Sequence, residues 1–285
     1  RASLEGIDTA EMNRLLPMRH KLRGGVFRNV VLHSWLERWS HGMRGPSELA
    51  SPPVVGTRVR RRLVDRLSAD IDGLPTPSSR SPWMDYDGGD SYSAEARERK
   101  EELIDSCLAT ARPAMVWDLG CNTGRYSRLA ARRADHVVAM DADASAVNAL
   151  VAAARREHPG LLPLVMDVLN PSPSQGWAQA ERTGLAERGR PDLILCLGLL
   201  HHLVIAGHVP VRAVVAWLAG LTPRLVVEFV PDTDPGFQRL LRWRASAHHR
   251  YTRQELETAL REQFRAVSRA ELPDSGRVLY TASSA

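Results

Sequence analysis

Asp118-Leu119-Gly120-Cys121-Asn122-Thr123-Gly124 closes the apolar run Ala114–Leu119 (AMVWDL) and opens a helix-forming stretch. A loop between a buried strand and a helix is where doubly wound α/β sheets bind nucleotides. Gly120 and Gly124 allow tight turning and close approach of the backbone to a ligand, and Asn122 tolerates a left-handed conformation better than other non-glycine residues. A phosphate-binding G-x-G-x-x-G would need glycine at positions 122 and 125, which hold Asn122 and Arg125. The loop therefore suits a nucleoside without pyrophosphate better than a dinucleotide.

Outward from this loop, strand and helix patterns alternate. Further strands read at His136–Met140, Leu161–Met166, Leu193–Leu197 and Leu225–Val230, with helices starting near Thr123, Asp143, Gly207 and Thr252. Such alternation predicts a parallel sheet with covering helices. An amphipathic helix over Ser93–Thr110 precedes the first strand. At the other end, Phe264–Leu272 and Arg277–Thr281 flank the turn-forming Pro273-Asp274-Ser275-Gly276, so an antiparallel hairpin completes the sheet.

Two more carboxylates stand at strand ends. Asp141 ends the second strand (HVVAMD) about 20 residues after the glycine loop, the spacing at which a carboxylate accepts from both ribose hydroxyls. Asp167 follows the third strand (LLPLVMD), where it can accept from an exocyclic amine such as that of adenine. Either acidic residue alone would read as a helix cap, as Asp143 before ASAVNAL does.

Together, VWDLGCNTG, VVAMD, LVMD and DLILCLGLLHHL resemble the successive motifs of class I S-adenosylmethionine-dependent methyltransferases, over about Tyr92–Thr281. More narrowly, WMDYDGGDSYSAEA, NPSPSQGWAQAERTGLAERG and VVEFVP resemble a bacterial subgroup labelled methyltransferase-like nodulation proteins. The resemblance implies a Rossmann-like, mostly parallel seven-stranded sheet with the first strand central and the hairpin at one edge. It implies S-adenosylmethionine as cofactor and S-adenosylhomocysteine as product. Gly120 and Gly124 would line the methionine part with Asp118 behind them, Asp141 would hold the ribose, Asp167 would sit near adenine, and Leu197 would also touch the cofactor. Asn122 departs from the commoner glycine of the motif.

Methyl transfer from a sulfonium is an in-line displacement, governed mainly by positioning. A protonated acceptor gains from a base whose pKa lies near working pH, and histidine is that residue. His201 and His202 follow the fourth strand, the loop where the base lies in similar oxygen-methylating enzymes. His201 is the candidate base and His202 the alternate or a substrate contact; burial or helix capping is the competing reading of both. Glu228, Trp83, Tyr86 and Tyr92 are further candidate substrate contacts. His208 lies close to the pair in sequence, but the spacing suits no metal site, and none is expected.

The N-terminal part differs. Helical periodicity runs from Thr9 to about Ile71, through Phe27, Val30, Val31, Trp35 and Trp39 and then Val59, Leu63, Leu67 and Ile71. Trp35 and Trp39 read as packing residues. The expected organisation is a helical region over 1–72, a Pro/Ser/Gly-rich linker or lid over 73–90, and the cofactor-binding domain over 91–285.

The chain has 285 residues, 44% hydrophobic and 25% charged, which excludes general disorder. The three cysteines, Cys107, Cys121 and Cys196, form no C-x-x-C pair and read as reduced thiols. No long apolar run or signal-like leader is visible, so a cytoplasmic protein without membrane association is expected. Arg58, Arg60, Arg61, Arg62 and Arg66 form a basic run, most often a solvated helix face but able to meet phosphate, an acidic carrier protein or a nucleic acid. The leading expectation is methylation of a small molecule, free or carrier-bound, on oxygen. RNA methylation, motivated by the basic run and the pI near 9.5, and a silent binding protein of the same fold are the alternatives.

Overall fold

The computed structural model describes residues 6–43, 56–73, 93–242 and 251–284. These fall into two compact units, one within residues 1–76 with 176–178, the other within 77–175 and 179–285.

The smaller unit is helical: α1 (Thr9–Leu15), α2 (Met18–Lys21), then α3 (Gly24–Val26) continuing through a π-helical turn at Phe27–Leu32 into α4 (His33–Met43), and α5 (Thr57–Asp72). Asp8 caps α1 by accepting from the Glu11 backbone N–H. Arg28 and Asn29 both donate to Asp70, at 2.7 and 3.0 Å, tying the π turn to the end of α5. Ser34 is the one residue of this unit that is buried among those described. Trp35 and Trp39 stack on each other with centroids 6.5 Å apart. They are 56% and 55% exposed rather than packed inside, because their helix face meets no partner among the described residues.

The larger unit is a seven-stranded sheet in the order β3-β2-β1-β4-β5-β7-β6. The strands are β1 (Met115–Leu119), β2 (His136–Asp141), β3 (Leu161–Val165), β4 (Leu193–Cys196), β5 (Arg224–Phe229), β6 (Ala266–Glu271) and β7 (Val278–Ser283). The first five are parallel and β7 runs antiparallel between β5 and β6. β1 and β4 are buried on both faces, which is why MVWDL and LILC are almost continuously apolar.

Alternate residues feed two cores. Val116, Val137, Leu193, Leu195 and Val226 pack with Ile104, Leu108 and Leu150 under α6 (Ala94–Ala111), α7 (Arg125–Ala130) and α8 (Ala144–Glu157). Trp117, Ile194, Cys196 and Val227 pack on the other face under α9 (Val211–Leu221), α10 (Pro235–Arg242) and α11 (Arg253–Gln263). Ser93, Asp143 and Thr252 cap α6, α8 and α11, each accepting from a backbone N–H two or three residues on. The sheet thus presents the carboxyl ends of β1, β2 and β4 side by side, where ligands bind in folds of this kind.

Candidate active site

The β1–α7 loop curls because three of its residues are left-handed: Gly120 (φ 75°), Asn122 (φ 49°) and Gly124 (φ 81°). A Cβ on Gly124 would lie 2.3 Å from Leu150 Cδ1, and Leu150 is itself fully buried, so only glycine fits. A Cβ on Gly120 would approach Leu199 at 3.2 Å, which shows how closely the β1 and β4 loops converge. The backbone N–H groups of Gly120 and Cys121 donate to the Met140 carbonyl, at 2.8 and 3.1 Å, and pin the loop to the end of β2.

Asp141 organises this edge. One carboxylate oxygen accepts the Asn122 N–H and the other the Asp143 N–H, both at 2.8 Å. A carboxylate has about four acceptor positions, so capacity remains for ligand hydroxyls. Burial pushes its pKa up, and the backbone N–H groups of Asp143 and Asn122 oppose that shift. Asp118 lies beneath the loop, almost fully buried, and accepts from the Ser127 hydroxyl at 2.5 Å. Asp167 is exposed beyond β3 and accepts the Leu169 N–H at 2.9 Å. Its neighbour Met166 donates its backbone N–H to the Asp141 carbonyl at 2.8 Å, holding the two acidic segments adjacent. Leu197, one residue past β4, is buried on the α6 side of the sheet.

The imidazoles are placed differently from the expectation of a base at the crevice edge. His201 is fully buried, and neither ring nitrogen has a hydrogen-bond partner. Its ring lies 4.1 Å from that of His202 and 5.7 Å from that of Phe237. Phe237 and Phe229 in turn flank Tyr251, so the β4 loop ends against an aromatic cluster. Residues His202–Ala206 form a π-helical turn, a geometry frequent at functional sites. Burial, and next the neighbouring His202 and Arg277, keep His201 neutral well below the ordinary imidazole range. Burial and then Arg277 bring His202 down to about 4.

These depressed values have a sign. The unfolded chain takes up protons below about 6.5 while the folded imidazoles resist, so their contribution to stability is complete above 6.5 and is lost as pH falls towards 4. Unfolding free energy measured in urea is expected to drop across that window, and a His201→Gln/His202→Gln variant should show a flatter profile. An identical slope in the variant would place the titration elsewhere.

Glu228 faces inward rather than into the crevice. It is fully buried, and it pairs with Lys100 Nζ at 2.8 Å and with Arg277 at 3.4 Å. Arg277 also holds Asp234, with Nε at 3.0 Å and a terminal nitrogen at 2.7 Å from the same oxygen. Asp234's other oxygen caps α10 by accepting from Gly236 and Phe237. Lys100 further lies 4.6 Å above the Tyr126 ring on α7. This buried chain of alternating charges joins α6, β5, α10 and the start of β7. Lys100, Asp234 and Arg277 were not among the residues expected from the sequence. Lys100 had a readable signal, since it falls on the buried stripe Ala96, Lys100, Ile104, Leu108 of α6; Arg277, in a hairpin, had none. The candidate contacts Trp83, Tyr86 and Tyr92 lie outside the described residues.

A family model described as a methyltransferase domain matches residues 117–223. The nodulation protein NoeA of Rhizobium meliloti (strain 1021) is 32% identical over 287 residues, covering 99% of this chain and 60% of that protein. The chain therefore spans about 60% of the length of that relative. Among solved structures, a candidate O-methyltransferase from Nostoc punctiforme PCC 73102 superposes with a TM-score of 0.50 at 16% identity, over 80% of this chain and 70% of that one. The N-methyltransferase NodS of Bradyrhizobium japonicum WM9, in complex with S-adenosyl-L-homocysteine, gives 0.47 at 14% identity over 66% of this chain and 87% of that one. At 16% identity the likeness to the Nostoc structure speaks for the fold alone.

Proposed function

We propose that the chain is a class I S-adenosylmethionine-dependent methyltransferase, a reading supported by the methyltransferase-domain match and the likeness to NoeA, and that it transfers a methyl group to an oxygen of a small specialised metabolite in the cytoplasm. The observation that carries the cofactor half of this reading is the convergence of a left-handed glycine loop with Asp141, whose carboxylate is already oriented by two backbone N–H groups. When bound, S-adenosylmethionine supplies a methyl group on a positively charged sulfur. Asp141 accepts from the ribose hydroxyls, Asp167 from the adenine amine, and Gly120 and Gly124 admit the methionine portion without a side chain in the way.

On the acceptor side, His201 is the candidate proton acceptor. In its buried position it is held neutral well below the ordinary imidazole range and is a weak base, so it would take a proton only once the ring is brought out of the core. Its burial requires the β4 loop to shift before the ring meets an acceptor. The acceptor is read as a small molecule, free or carrier-bound, and not as RNA.

Calorimetric titration with S-adenosylmethionine and S-adenosylhomocysteine, beside a nicotinamide dinucleotide control, tests the reading. Binding of the first two in the micromolar range and not of the third is expected, and a chain that binds neither is not an active methyltransferase. In an acceptor screen that follows, His201→Ala should keep cofactor affinity and lose turnover; unchanged turnover would remove the histidine from the chemistry.

A further inference from the structure

Helix α7 spans six residues, too few to hold itself in place, so contacts with other elements must fix it. It begins directly after Gly124, and a shift of its first turn moves the loop that Asp141 holds through the Asn122 N–H. Three consecutive residues of that turn are anchored. Arg125 pairs with Glu101 of α6 at 2.6 Å, but both side chains are more than a third exposed, so this pair contributes little. Ser127 donates to Asp118 at 2.5 Å and ties the turn to β1. Tyr126, between them, has the buried Lys100 ammonium 4.6 Å above its ring.

Lys100 extends this anchoring beyond the turn. On the buried stripe of α6 its neighbours are Ala96, Ile104 and Leu108, so an apolar side chain would suit the pattern there. A cation in that place costs desolvation, and a buried ion pair is often no more stabilising than apolar residues of similar volume. Its ammonium serves two groups at once, the Tyr126 ring and the Glu228 carboxylate at 2.8 Å. In the sheet β1 and β5 are separated by β4, so this one side chain joins the turn that follows the glycine loop to a strand two places away. Glu228 continues to Arg277, Asp234 and the start of α10, whose Phe237 rests against His201.

We propose that Lys100 is a positioning residue for cofactor binding: by pairing with Glu228 while lying over Tyr126, it sets the first turn of α7, and with it the glycine loop, relative to β5. This rests on the reading of that loop as the S-adenosylmethionine site and names a residue that acts on it through Tyr126.

The test separates positioning from stability. Lys100→Met should lower the urea midpoint, because a partner of the buried Glu228 is removed. Lys100→Met/Glu228→Gln removes both charges and should regain most of the midpoint, while Arg277 keeps Asp234. Affinity for S-adenosylhomocysteine, measured by calorimetry, should be about tenfold weaker in both variants, since neither restores a cation over Tyr126. In a Tyr126→Leu background the same double change should weaken binding little further, the non-additivity expected of groups in contact. Amide hydrogen exchange of the unliganded chain over residues 120–130 should be about tenfold faster in the double variant, with exchange over α9 unchanged. Affinity that recovers together with the urea midpoint would reduce Lys100 to a stabilising residue and overturn the proposal. Full additivity with Tyr126→Leu, or parental exchange over 120–130, would overturn it as well. A parent chain that binds no S-adenosylhomocysteine removes the methyl-transfer reading, and the exchange rates then still decide whether Lys100 holds the loop.

Discussion

Arg277→Met is expected to cost the larger unit about 3–5 kcal/mol of stability, the range for removing one partner of a buried ion pair. The side chain is fully buried, and its guanidinium faces both Asp234 and Glu228. Methionine occupies similar volume, so packing changes little, while Glu228 keeps Lys100 and Asp234 loses its guanidinium partner. The damage spreads, because Asp234 also caps α10 and thereby seats Phe237 against His201. Urea unfolding followed by circular dichroism measures the loss. Adding Asp234→Asn removes one orphaned charge but keeps an oxygen for the cap, so the double variant should recover part of the stability. A single variant within about 1 kcal/mol of the parent would mean that the network is solvated and contributes little.

Asp141→Ala is expected to weaken S-adenosylhomocysteine binding by roughly a hundredfold, about 3 kcal/mol, as hydrogen bonds to a charged group are lost. Two causes combine. The ligand loses a carboxylate partner for its ribose, and the glycine loop loses the anchor that holds Asn122 N–H at 2.8 Å. Asp141→Asn retains one carbonyl oxygen and should fall between the two. Calorimetry gives the affinities directly, and an unfolding scan on the same samples confirms that the fold persists, since Gly120 and Cys121 still hold Met140. Parental affinity in Asp141→Ala would sink the assignment of this edge as the cofactor site.

The sequence by itself determined the parts of this protein that depend on local pattern. Period-2 and continuous apolar runs and the turn at Pro273–Gly276 marked all seven strands to within two residues, and helical pattern marked α6 from Ser93, α8 from its cap Asp143 and α11 from near Thr252. The glycine loop and the carboxylates at the ends of β1, β2 and β3 were legible for the same reason, since strand–loop–helix punctuation is written in consecutive residues. The short α10 was missed, and so was the π turn after His201, because neither carries a periodicity long enough to register.

Tertiary structure alone decided where side chains separated by many residues meet. Lys100 and Glu228 are 128 positions apart and Asp234 and Arg277 are 43 apart, so no local rule couples them. It also decided that His201 turns into an aromatic core with both nitrogens unpartnered, and that Trp35 and Trp39 remain exposed where periodicity suggested packing. The physical reason is common to these cases: periodicity reports that a face is apolar or polar, but which partner covers that face, and which opposite charge neutralises a buried one, is settled only when distant segments are brought into contact.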